Sequence, residues 1–128
     1  WPFLLCFASP RLPGGAVGSG VNAQEECIFR CTSVSLALDP DNPPRCYPLH
    51  GRCVVAPGVA VVKSADLQWC APPFVEVDVA ASSAVSKPGL APDAGAYPEP
   101  VRTEMFRRAA AVLQAAARHG NRSLVLGA

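Results

Sequence analysis

Residues 14–20, Gly-Gly-Ala-Val-Gly-Ser-Gly, run straight into Gln24-Glu25-Glu26, and this junction constrains the chain more than any other stretch. Glycines let a backbone adopt positive φ and approach a ligand closely. A helix N-terminus aims unpaired N–H groups at whatever lies before it. Two adjacent carboxylates at that spot are chemically useful and structurally awkward, so the combination suggests a site. Asn22 is the expected N-cap, with Glu25 three positions on in a near capping box. The apolar run 3–8 upstream reads as a buried strand. The predicted unit is strand, glycine loop, helix.

The helix is expected over about 23–37. Residues 39–51 are turn-rich. The β-branched runs 52–55 and 59–63 flank Ala56-Pro57-Gly58 and read as a hairpin-like pair. Residues 74–80 alternate as a further strand, and 81–100 read as a long surface loop. A helix follows over about 99–119. Val101, Met105, Ala109, Val112 and Ala116 form its core stripe, widened by Phe106 and Leu113. Arg102, Arg107, Gln114 and Arg118 face away as a solvated face. Glu104 and Arg108 can pair at i,i+4, and Gly120 fits the C′ position. Residues 123–126 read as a buried strand. Helices alternating with apolar strands predict an α/β fold whose mixed sheet is covered on both faces.

A chain of 128 residues favours one domain. A formal net charge of +1 gives no electrostatic case for binding nucleic acid directly. No stretch has the apolar length to span a bilayer, so no membrane partner is expected. Six cysteines read as buried thiols rather than a disulfide scaffold, and the expected location is cytoplasmic. There is no Cys-x-x-Cys, and His50 and His119 lie far apart, so no metal site is expected. Asn121-Arg122-Ser123 matches a glycosylation acceptor and is incidental.

Phe7-Ala8-Ser9, Pro13-Gly14-Gly15 and Gln24-Glu25-Glu26, followed by Arg30, resemble in order and spacing the signature of the microbial-type poly(ADP-ribose) glycohydrolases, a branch of the macrodomain-like fold. Ala16 stands where the family pattern has a third glycine. Ala56-Pro57-Gly58-Val59 is similar to the family's Ser-Pro-Gly-Val, and residues 74–80 to its Val-Asp-Val-Ile strand. The resemblance implies a macrodomain-like mixed sheet flanked by helices. It implies hydrolysis of the ribose–ribose O-glycosidic bonds of poly(ADP-ribose), with Glu26 as acid/base and Glu25 holding ribose hydroxyls. Gln24 would position the loop or ligand. Gly14, Gly15 and Ala16 would lie along ribose and diphosphate with their N–H groups as donors. No cofactor is implied. The implied partners are ADP-ribose, poly(ADP-ribose) and ADP-ribosylated proteins.

In that family a segment like Leu124-Val125-Leu126-Gly127-Ala128 leads into a Gly-Cys-Gly-x-Phe loop that wraps the diphosphate. Residues 1–128 stop short of it, so the expectation is an incomplete catalytic domain, its activity open. Two alternatives stand beside hydrolysis. One is a non-catalytic ADP-ribose-binding relic of the fold. The other is an unrelated small α/β interaction domain whose Gln-Glu-Glu only caps a helix.

Overall fold

A computed structural model describes residues 1–39, 41, 45–86 and 95–127. The expected turn segment 39–51, the loop 81–100 and the terminal Ala128 therefore lie partly or wholly outside the described residues. The elements run β1 (Phe3–Phe7), a 3₁₀ turn (Val17–Ser19), α1 (Gln24–Cys31), α2 (Val34–Ala37), β2 (Cys53–Val61), β3 (Val75–Ser82), α3 (Glu99–Arg118) and β4 (Leu124–Val125). The strands form one mixed sheet in the order β2-β3-β1-β4. β1 runs parallel to both β3 and β4, while β2 is antiparallel to β3.

Alternation along the strands feeds two cores. Cys6 of β1 with Val77, Val79 and Ala81 of β3 meet Ile28 of α1 and Val34 of α2 on one face. Phe3 and Ala80 meet Val112 and Ala116 of α3 on the other. The α/β expectation, with both faces covered, is what the chain adopts.

Local expectations change in five places. The first helix stops at Cys31 because Thr32 turns extended (φ −132°, ψ 168°) and bridges to Val61, its hydroxyl donating to the Ile28 carbonyl at 2.7 Å. The N-cap is Ala23, and the Asn22 carboxamide oxygen instead accepts the Cys27 thiol at 3.1 Å. Residues 53–61 form one strand with a bulge between Ala56 and Val59, not a hairpin. Asp78 of the neighbouring strand accepts the Gly58 N–H at 3.0 Å, so the chain runs through Pro57-Gly58 without reversing. Pro57 is tolerated because β2 is an edge strand. β4 is shorter than expected and exposed, Leu124 by 38% and Val125 by 51%, because only β1 flanks it. Phe106, expected in the core, is 70% exposed.

Asp78 also accepts from the Asn121 carboxamide at 2.7 Å, and the same nitrogen donates to the Trp1 carbonyl. Burial pulls the Asp78 carboxyl upward, but the Asn121 and Gly58 donors prevail and hold it below its usual range. Among the described residues no helix is long and apolar enough to cross a membrane.

Candidate active site

The carboxyl ends of β1, β3 and β4 lie along one rim of the sheet, since the three strands are parallel. From that rim β1 leads to α1 on one face and β3 leads to α3 on the other. Open α/β sheets bind ligands in the crevice where successive connections diverge in this way. The glycine loop and the Gln-Glu-Glu run meet there.

The loop is folded around the two carboxylates. Glu25 accepts the Ser9 N–H at 2.8 Å and the Gly14 N–H at 3.0 Å, one on each oxygen. Glu26 accepts the Ala16 N–H at 3.0 Å. Both side chains are buried, each 6% exposed. A Cβ added to Gly15 (φ +52°) would stand 2.7 Å from Glu26 Oε1 and 2.8 Å from Glu25 Oε2. Gly14 (φ +75°) has the Phe29 ring as close, at 2.7 Å. Only glycine meets both demands, positive φ and no side chain, at these two positions. Ala16 has φ −106°, open to any L-residue, so the alanine in place of the family's third glycine strains nothing. From below, the Arg30 guanidinium donates to the Val17 and Val21 carbonyls and clamps the far side of the loop.

The loop N–H groups foreseen as ligand donors also bond within the chain. Gly14 and Ala16 donate to the carboxylates and Gly15 to the Leu12 carbonyl at 3.3 Å. The Gly14 and Ala16 groups thereby orient Glu25 and Glu26.

The two carboxyls are pushed apart in proton affinity. Burial raises Glu25, against the opposing Ser9 and Gly14 N–H groups, and the charge of Glu26 adds to the rise. Glu26 is lowered, chiefly by the Ala16 N–H, with the positive charge of Arg30 assisting. Neighbouring carboxylates with diverging environments are a recurring basis for dividing acid and base roles. Beneath them the Cys6 thiol is pushed up to about 12 by burial and by the charges of Glu25 and Glu26.

Gln24 lies beside the pair but turns toward β1. Its Oε1 accepts the Phe7 N–H and its Nε2 donates to the Leu5 carbonyl. The sequence pattern thus leads to one constellation holding Gly14, Gly15, Ala16, Gln24, Glu25 and Glu26. Two further participants stand in the sequence motifs without a role assigned at the site. Ser9, the first residue beyond the strand segment, donates to Glu25 and accepts the Arg11 and Leu12 N–H groups at its hydroxyl. Gly127 (φ +71°) packs so closely that a Cβ would lie 2.9 Å from the Phe7 ring and 3.3 Å from Gln24 Nε2. A lone glycine ending a strand was the available signal. Among the described residues no group of three or more His, Cys, Asp or Glu could hold a metal ion.

Residues 1–61 match the family described as microbial-type PARG, catalytic domain. No curated protein matches the chain. Among solved structures it is similar to a glutamate-to-alanine mutant of the poly(ADP-ribose) glycohydrolase of Thermomonospora curvata (31% identity, TM-score 0.81), covering 99% of this chain and 49% of that one. The same enzyme bound to the inhibitor ADP-HPD gives 30% identity and a TM-score of 0.78 over the same shares. The Deinococcus radiodurans glycohydrolase in complex with ADP-ribose gives 27% identity and a TM-score of 0.75, covering 99% of this chain and 54% of that one. The chain thus spans about half the length of these relatives. The unrelated interaction domain is set aside: by signature over residues 1–61 and by fold over 99% of its length, the chain is similar to the microbial-type poly(ADP-ribose) glycohydrolases.

Proposed function

We propose that this chain, as part of a glycohydrolase catalytic domain, binds ADP-ribose units at the strand-end crevice and serves hydrolysis of the ribose–ribose O-glycosidic bond in poly(ADP-ribose). The observation that carries the reading is Gly15, whose missing side chain leaves two buried carboxylates against a bare backbone. Glu26 is the acid/base. It starts as a carboxylate, held so by the Ala16 N–H. The arriving diphosphate brings negative charge and raises its proton affinity. Protonated Glu26 then gives its proton to the leaving ribose oxygen as the C–O bond breaks and positive charge builds on the anomeric carbon. The carboxylate so formed takes a proton from the water that attacks that carbon. Glu25 holds ribose hydroxyls, each of its oxygens keeping acceptor capacity beyond one backbone bond. Gly14, Gly15 and Ala16 line ribose and diphosphate through their backbone, and Gln24 positions them. The partners on this reading are ADP-ribose polymer and ADP-ribosylated proteins.

A second reading, ADP-ribose binding without catalysis, is favoured by one fact, the lowered proton affinity of Glu26 in the free protein. Calorimetry with ADP-ribose and turnover of poly(ADP-ribose), each on this chain and on Glu26→Ala, decide between them. Hydrolysis predicts heat in both and a rate loss of about 10²–10⁴ in the variant. Heat without turnover in the unaltered chain establishes the binding reading. Turnover that survives Glu26→Ala sinks the mechanism.

A further inference from the structure

We propose that the cleft between the cradle loop and α3, lined by Arg11, His50 and Arg108, is a diphosphate subsite for the polymer unit next to the one at Glu26. The inference rests on the glycohydrolase reading and adds a second recognition element to it. The cleft encloses about 420 Å³ and is walled also by Gly51, Ser83 and Ser86. It opens directly beside the cradle: Arg11 lies two residues past Ser9, whose N–H holds Glu25 and whose hydroxyl accepts the Arg11 N–H.

The charge of this cleft is built in. Glu104 and Arg107 stand at its edge beside Gly51, and Glu104 is bonded to both Arg107 and Arg108 at 2.7 Å. It cancels one of their two charges. Arg11 adds another, with no side-chain partner among the described residues. The surplus matches the two negative charges of a diphosphate. Arg108 is pre-set to receive it. Its Nη1 donates to the Ser83 carbonyl and hydroxyl and to the Ala84 carbonyl, which fixes the guanidinium plane while Nη2 stays toward Gly51. A guanidinium held in this way recognises phosphate with little ordering cost. Gly51 (φ +73°) is what lets the loop approach, since a Cβ there would stand 2.6 Å from Arg107 Nη2 and 3.0 Å from Glu104 Oε1. Poly(ADP-ribose) presents a diphosphate in every repeat, so a substrate seated at Glu26 carries a second one for this cleft, whereas free ADP-ribose carries none to spare.

The test titrates inorganic pyrophosphate into this chain and into Arg11→Gln, following the His50 ring resonances, and measures affinity for ADP-ribose and for poly(ADP-ribose) in both. The expected result is a saturable His50 shift, weakened about tenfold in Arg11→Gln, the loss of one charge-assisted hydrogen bond. Polymer affinity falls by a similar factor and ADP-ribose affinity holds. No saturable shift, or an equal loss for monomer and polymer, overturns the subsite. A His50 shift that persists while ADP-ribose fails to bind the unaltered chain supports an anion cleft and overturns the glycohydrolase reading instead.

Discussion

Gln24 takes the place of a peptide group against Phe7: its Oε1 accepts the Phe7 N–H at 2.7 Å while its Nε2 donates to the Leu5 carbonyl at 2.8 Å. β4 pairs with β1 only at Phe3 and Leu4. Continued in register, the Gly127 peptide would serve Leu5 and Phe7 next. The carboxamide occupies that position, and the chain leaves the sheet at Gly127. One residue of the helix, next in sequence to Glu25, therefore stands between β1 and the end of β4 at the rim.

Replacing Gln24 with alanine strands a donor and an acceptor on β1 and costs about 1–3 kcal/mol, read as a lower urea midpoint. Gln24→Glu is the sharper variant. Its carboxylate still accepts from Phe7 but faces the Leu5 carbonyl with an oxygen. Its deficit is expected to be larger at pH 7 than at pH 4, where a protonated carboxyl can donate. Equal deficits at the two pH values would contradict the peptide-mimic role.

Gly15 and Ala16 are adjacent, and the structure predicts opposite sensitivity. Gly15→Ala places a methyl within 2.8 Å of both carboxylates at φ +52°. The left-handed backbone alone costs about 1–2 kcal/mol, and the displaced Glu25 and Glu26 are expected to abolish ADP-ribose binding. Ala16→Gly restores the family's third glycine at φ −106°. It is expected to lose about 0.4–1 kcal/mol through the unfolded chain and to gain no affinity. Calorimetry on both variants checks this, and tighter binding by Ala16→Gly would show that the methyl obstructs the ligand.

Much of the fold and the cradle was legible because short-range signals and tertiary demands agree. The run Phe3–Phe7, the glycines at 14 and 15 and the paired glutamates each need what their neighbours supply. The misread places are those decided across the sheet. Nothing near Pro57-Gly58 reveals that Asp78, twenty residues on, accepts the Gly58 N–H and keeps β2 running through. Nothing in the helical pattern reveals that Thr32 pairs with Val61 and ends α1 early. Phe106 fits the apolar stripe of α3, yet it is 70% exposed and lines an open groove with Tyr97 and Arg102. Arg107, read as solvated, donates to the Gly51 carbonyl across 56 positions of sequence.

Glu104 is held at about 2 by its bonds to Arg107 and Arg108, well below its ordinary value near 4.5. A carboxyl lowered by folding contributes stability that is present above its unfolded value and is lost as pH falls toward the folded one. Glu104→Gln is therefore expected to be less stable than the unaltered chain at pH 7. The gap narrows steadily from pH 4.5 down to pH 3. Chemical unfolding across pH 3–7 on both proteins reads this out. A gap that stays constant over the range would mean that the carboxyl titrates normally.

Cys6 and Cys27 should react at very different rates with an alkylating reagent. Cys6 is fully buried, and with its thiol pushed up to about 12 only about one molecule in ten thousand is thiolate at pH 8. Cys27 is exposed on α1 beside Asn22. Iodoacetamide at pH 8 followed by peptide mass analysis is expected to label Cys27 early and Cys6 only on unfolding. Because the charges of Glu25 and Glu26 contribute to the inertness of Cys6, Glu25→Gln should speed its labelling in the folded chain. Labelling of Cys6 at the Cys27 rate in the folded protein would mean that the floor of the cradle is open to solvent and that the two carboxylates are not held as described.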